Sequence, residues 1–159
     1  MRERAVMDRP FVVAHRGKTP DYPVENALSA IRLAAGAGAD LAELDIRLSL
    51  DRRAVVLHDA FLGRATTGRG WVGSYPARYL RRLRLRGNPD ERLPLLRDLL
   101  PGLPTTIQPA LHLKDRAAIG PVLADIGRSG DPARTWLWLD RLDHIRRAVA
   151  RLPTIHCTY

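Results

Sequence analysis

Between Phe11 and Asp59, three apolar runs each carry or end in groups that can do chemistry. Phe11–Ala14 runs into His15-Arg16-Gly17, Leu41–Ile46 carries Glu43 and Asp45, and Ala54–Leu57 runs into His58-Asp59. Side chains two apart on a strand share a face, so Glu43 and Asp45 point one way while Leu44 and Ile46 point the other. Two carboxylates side by side on a desolvated face repel, and a divalent cation removes that cost. Oxygen ligands suit a hard ion, Mg²⁺ or Ca²⁺. The competing reading is a solvent-washed strand face, against which the apolar neighbours argue. His15 and His58 each follow directly on an apolar run, and a facing pair of imidazoles supplies one general base and one general acid near neutral pH. Arg16 offers a phosphate a forked contact and Lys114 a point charge. Lys114 is one of only two lysines in the chain, with Lys18. Glu25 serves equally well as a helix cap or a site residue. His144 and His156 read as structural or surface residues. Thr66-Thr67-Gly68-Arg69-Gly70 lacks the Gly-x-x-x-x-Gly-Lys spacing of a phosphate loop. The set points to a metal-assisted phosphodiester site.

These groups meet only if the chain positions them. Were the three runs parallel strands, their C-terminal ends would share one rim. The spacing predicts strands over Phe11–Ala14, Asp40–Leu48, Ala54–Leu57, Thr105–Leu113, Thr135–Leu139 and Thr154–Tyr159. Pro109 within the fourth suggests a bulge. Helices are predicted from Glu25-Asn26 to Ala35, over Leu95–Leu100, Ala117–Ile126 and Asp140–Arg151, with a short arginine-rich helical piece near 76–85. Between the second and third strands, Ser49–Arg53 leaves room for a tight turn and no crossover helix. Residues 61–92 read as an inserted lobe over the rim. The order argues α/β with a mainly parallel sheet in one domain over residues 1–159.

The chain has 159 residues, 45% of them hydrophobic, enough for one sizeable core. A single cysteine, Cys157, excludes an internal disulfide framework and a cysteine-based zinc site. Residues 1–9 are polar, read as a frayed end and not as a secretory signal, and no run is long enough to span a membrane. A cytoplasmic location is expected. The net charge of +9 comes from 26 basic residues, 24 of them arginine and spread along the chain. That spread, and the lack of aromatics at a stacking spacing around Arg78–Arg86, argues against nucleic acid as the partner.

In order and spacing, Ala14-His15-Arg16-Gly17, Val24-Glu25-Asn26, Gly38-Ala39-Asp40, Glu43-Leu44-Asp45-Ile46, His58-Asp59 and Arg64 to Gly70 resemble the glycerophosphodiester phosphodiesterase family. The resemblance implies a TIM (β/α)₈-type barrel with its site at the C-terminal rim. It implies His15 and His58 as acid and base, Glu43 and Asp45 as metal ligands, and Arg16 and Lys114 as phosphate holders. The lobe would cover the site and help select the alcohol. The implied reaction is metal-dependent hydrolysis of a small-molecule glycerophosphodiester to glycerol 3-phosphate and an alcohol. The third metal ligand of the family, a glutamate two before the lysine, is His112 here, which should shift preference toward Mn²⁺ or Zn²⁺. With about six strands, the chain is expected to form an incomplete barrel, cut short at its C-terminus, whose unpaired edges invite self-association. The alternative is an impaired or inactive remnant that keeps phosphate binding.

Overall fold

The computed structural model describes residues 9–129 and 131–159, so the polar segment 1–8 lies outside the described residues. The strands are β1 (Val13–Ala14), β2 (Leu41–Leu48), β3 (Ala54–Val56), β4 (Arg84–Leu85), β5 (Asn88–Arg92), β6 (Gln108–Leu113), β7 (Trp136–Trp138) and β8 (His156–Thr158). The α-helices are α1 (Leu28–Gly36), α2 (Ala77–Leu80), α3 (Leu96–Leu99), α4 (Ile119–Ser129) and α5 (Leu142–Arg151). Five strands lie parallel in the order β1-β2-β6-β7-β8, and the described sheet stays open, with β1 and β8 as its edges. This is the expected α/β architecture with an unclosed barrel.

One face of the sheet makes the core. Leu44 and Ile46 of β2, Leu111 of β6 and Leu137 of β7 are buried with Ile31 and Ala34 of α1 and with Ile119, Val122, Leu123 and Ile126 of α4. Each such aliphatic side chain removed from water contributes roughly 1.5–3 kcal/mol. The other face is chemical. In register across β2, β6, β7 and β8, Asp45 lies beside His112, then Trp138, then Thr158. One layer below, Glu43 lies beside Ala110, Trp136 and His156.

Three expectations are corrected. The third apolar run is not a parallel strand: β3 pairs antiparallel with β2, Val56 opposite Ile46. Ser49–Arg53 is a hairpin turn, with Arg52 at φ +57° and the Ser49 hydroxyl accepting from Arg53 N at 2.9 Å. The reversal returns the chain to mid-β2, where Leu57 N donates to Asp45 O at 2.9 Å, so His58 reaches the site from that return. Pro109 makes no bulge; it sits in regular register with Ala42. Gln108 N donates to Asp40 O, so the next residue's nitrogen faces β7, whose pairing begins only at Ala110. The missing N–H therefore costs no ladder bond. The first helix begins at Leu28 and not at Glu25, because Asn26 holds φ +55°, incompatible with a helical turn.

Residues 61–92 also hold structure that the hydrophobic pattern did not indicate. The β4–β5 hairpin turns at Gly87, φ +88°, and its Leu85 joins Leu62, Ala65, Val72, Leu80 and Leu83 in a second apolar cluster resting on Val55 and Leu57. Thr66, fully buried, accepts from Gly68 N and donates to Leu62 O, so the glycine-rich stretch is a structural turn.

Candidate active site

The site begins with a tight turn after β1. Arg16 and Gly17 take successive left-handed conformations, φ +57° and +68°. A Cβ at Gly17 would lie 2.8 Å from Ile31 Cγ1, so only glycine lets the turn close on α1. That closure aims Arg16 N at Glu43 Oε2, 2.9 Å away, and Arg16 O accepts from Asn26 N at 2.8 Å. The Arg16 guanidinium lies 3.0 Å from Glu25 and 3.5 Å from Asp45.

Glu43 and Asp45 are 2% and 1% exposed, so the solvent-washed reading of this face is set aside. Asn26, itself buried, clamps Asp45 from both ends: its Nδ2 donates to Oδ2 at 3.3 Å and its Oδ1 accepts from Asp45 N at 3.1 Å. Lys114 Nζ stands 3.0 Å from Asp45 Oδ1 and donates to His112 Nδ1 at 3.0 Å. His112 Nδ1 in turn lies 3.5 Å from Glu43 Oε1 and 3.8 Å from Asp45 Oδ1. Arg16, Glu43, Asp45, His112 and Lys114 therefore form one cluster. Burial, then the neighbouring Asp45 charge, pushes Glu43 up to about 7. Burial also opposes ionisation of Asp45, but Lys114 and Asn26 more than offset it and hold that carboxyl below its ordinary value.

His58 is held differently. Its Nδ1 lies 2.6 Å from Asp59 Oδ1, which leaves Nε2 free. Asp59 also accepts from Arg64, and Arg64 reaches Glu25 at 2.6 and 2.9 Å. Hydrogen bonds from Arg64 lead the causes that bring Asp59 down to about 2. Glu25 thus ties Arg16 to Arg64 and is a site-side residue, not a cap. Arg47 Nε donates to His58 O at 3.0 Å, and Arg47 pairs with Asp115 at 3.0 Å, linking the His58 loop to the end of β6. His15 is exposed at the rim, and its ring makes no hydrogen bond among the described residues. Desolvation, then the Arg16 and Lys18 charges, lower its pKa. His144 is buried in α5, and His156 stacks on Trp136 at 4.5 Å; neither joins the cluster.

Sequence reasoning gave no role to Arg64, Arg47 or Asp115, read Asn26 only as the start of a helix, and named Asp59 only as the end of the third run. Asp59 was detectable as a carboxylate next to a candidate base. The Asn26 clamp had no signal in spacing, because it depends on a left-handed backbone.

The donor set fits a divalent cation. Glu43, Asp45 and His112 each offer a ligand atom, all within 4.8 Å of one another. Asp45 Oδ1 is buried with no well-aligned hydrogen bond among the described residues and only the Lys114 ammonium close by, at 3.0 Å, which leaves lone-pair capacity for a metal. His112 is kept toward its neutral form, first by desolvation and then by Lys114, as imidazole ligation requires. Among the described residues no helix is long and apolar enough to cross a membrane.

Comparison with known proteins identifies the family. Residues 15–144 match the glycerophosphoryl diester phosphodiesterase family. The chain is 43% identical over 98 residues to glycerophosphodiester phosphodiesterase 1 of Rattus norvegicus, covering 57% of this chain and 29% of that protein. The structure of a glycerophosphodiester phosphodiesterase from Agrobacterium tumefaciens superposes with a TM-score of 0.80 at 26% identity, over 94% of this chain and 66% of that one. An Oleispira antarctica phosphodiesterase, solved in complex with the product sn-glycerol-3-phosphate, gives a TM-score of 0.79 at 25% identity, over 93% of this chain and 64% of that one. The chain thus spans less than two thirds of each of these relatives. With a family match running from His15 on the rim to His144 in α5, the chain belongs to the glycerophosphoryl diester phosphodiesterase family.

Proposed function

We propose that this rim hydrolyses a glycerophosphodiester to glycerol 3-phosphate and an alcohol, with a divalent ion held by Glu43, Asp45 and His112. The observation that carries the reading is the buried acid pair, whose oxygens lie within 4.8 Å of the His112 imidazole, flanked by the cations Arg16 and Lys114. When bound, Mg²⁺, Ca²⁺, Mn²⁺ or Zn²⁺ would stabilise developing charge on a phosphate oxygen and acidify the attacking hydroxyl. Arg16 and Lys114 hold the phosphate. His15, its pKa lowered, takes the proton of the neighbouring glycerol hydroxyl, whose oxygen bonds to phosphorus as the alkoxide leaves, giving a cyclic phosphate that water then opens to glycerol 3-phosphate. His58, oriented by Asp59 at Nδ1, gives a proton from Nε2 to the leaving alkoxide. The lobe of residues 61–92 shields the reaction and contributes to the choice of alcohol.

One observation favours a second reading, phosphate binding without turnover. His112 stands where the family resemblance calls for a carboxylate, which removes a negative charge from the ion's surroundings. Incubation of folded protein with glycerophosphocholine and Mg²⁺, Ca²⁺ or Mn²⁺ separates the two. Release of glycerol 3-phosphate with any ion supports hydrolysis; none with all three leaves binding alone.

A further inference from the structure

Residues 61–92 carry eight arginines against two acids, Asp90 and Glu91, a net +6 out of the chain's +9. Half of those arginines are spent inside the protein. Arg64 binds Glu25 and Asp59, Arg84 donates to Pro89 O, Arg86 donates to Gly63 O and Thr66 O, and Arg92 donates to Arg82 O. Arg69, Arg78, Arg81 and Arg82 are exposed, and their guanidinium groups form no ion pair among the described residues.

The same lobe exposes aromatic surface. Phe61 and Trp71 are 50% and 55% exposed, and their rings pack together with centroids 3.9 Å apart. Tyr75 and Tyr79 stack at 4.7 Å, and Tyr75 Oη reaches back to within 3.3 Å of the Cβ position of Gly70, the residue before Trp71. The two aromatic pairs therefore adjoin, and exposed arginines flank them in the chain, Arg69 two residues before Trp71 and Arg78 next to Tyr79. Burying such rings internally would contribute kilocalories each; leaving them in water marks a contact surface.

The geometry points to a docking face on this lobe for an anionic lipid surface. Basic side chains supply long-range attraction, and large aromatics settle at the headgroup level, where one end stays wet. Nucleic acid would also attract the arginines, but the aromatics sit as two tight pairs and not as a series of separate rings along which successive bases could stack. None of Phe61, Trp71, Tyr75, Tyr79, Arg69 or Arg78 belongs to the ion cluster, so the docking does not require that the rim turn over substrate.

Co-sedimentation of the whole chain with phosphatidylcholine vesicles, with and without phosphatidylglycerol, tests it. Binding is expected only with phosphatidylglycerol, weakening as salt rises, with a blue shift of tryptophan emission. R78Q/R82Q should weaken it roughly 30-fold, at about 1 kcal/mol per arginine. F61S/W71S should lose the blue shift and most of the affinity while melting at the temperature of wild type; W71F/F61L, which keeps the apolar surface, should retain binding if the serine pair unfolds. Equal binding to neutral vesicles, or no binding to either, would overturn the proposal. So would duplex DNA binding that needs Arg78 and Arg82 and outcompetes the vesicles.

Discussion

On the β1–β2–β3 flank of the rim, Glu43 and Asp45 are almost wholly buried, and a backbone N–H, an asparagine amide and two cations hold them. On the β6–β7–β8 flank, the His112 side chain is 41% exposed and borders a cavity of about 740 Å³ that both flanks share, lined by Phe11, Val13 and Leu41 as well as by Trp136, Trp138 and Tyr159. The first flank is assembled by short connections: the His15–Asn26 loop and the Ser49–Arg53 hairpin each bring a site group back onto β2. The second depends on register between strands far apart in the chain. Local chain geometry has fully organised one half of the site, while the other half offers a softer ligand and open space.

The sharpest way to break the contrast is at its tight side. Asp45→Ala should cost about 3–5 kcal/mol in urea unfolding, because it removes the buried carboxylate that Arg16 and Lys114 share, and it should abolish ion binding. A loss below 1 kcal/mol would mean the cluster is not held by its charges. His58→Ala should slow hydrolysis roughly 10²–10⁴-fold with little change in unfolding, since the half-buried ring is bonded only to Asp59 among the described residues.

The next effect is one of pH. Folded Glu43 keeps its proton up to about 7, whereas a free glutamate loses it near 4.3. As pH rises between those values, the unfolded chain binds fewer protons than the folded one, so the contribution of Glu43 to stability falls. A divalent ion, which needs the carboxylate, should therefore raise the melting temperature more at pH 8 than at pH 5. Glu43→Gln should flatten both trends; identical pH profiles for variant and wild type would remove Glu43 from the linkage. The smallest effect lies on the open flank. His112→Glu should tighten Mg²⁺ or Ca²⁺ about tenfold, near 1.4 kcal/mol, and weaken Zn²⁺, read as opposite changes in ion-induced melting shifts.

How much of this was legible without coordinates follows the same division. The two-residue spacing of Glu43 and Asp45 was enough to place both on one face, because strand alternation has no alternative once Leu44 and Ile46 are committed to the core. The direction of the third run was legible only in the short Ser49–Arg53 connection, which has no room for a crossover helix, because apolar content is the same in either direction. The turn itself rests on the Arg52 backbone and on Asp51, which accepts from Ser49 Oγ and Ala77 N. Asn26 and Pro109 were misread for one reason: each depends on which way a single N–H or amide points, a property of tertiary context and not of composition.

The most direct measurement compares glycerol 3-phosphate release from glycerophosphocholine by folded wild type and by His58→Ala, each with Mn²⁺ and again after chelation. Release that is ion-dependent in wild type and at least a hundredfold lower in the variant is expected. Equal release by the two proteins, or release that survives chelation unchanged, would contradict a metal-assisted site built on this rim.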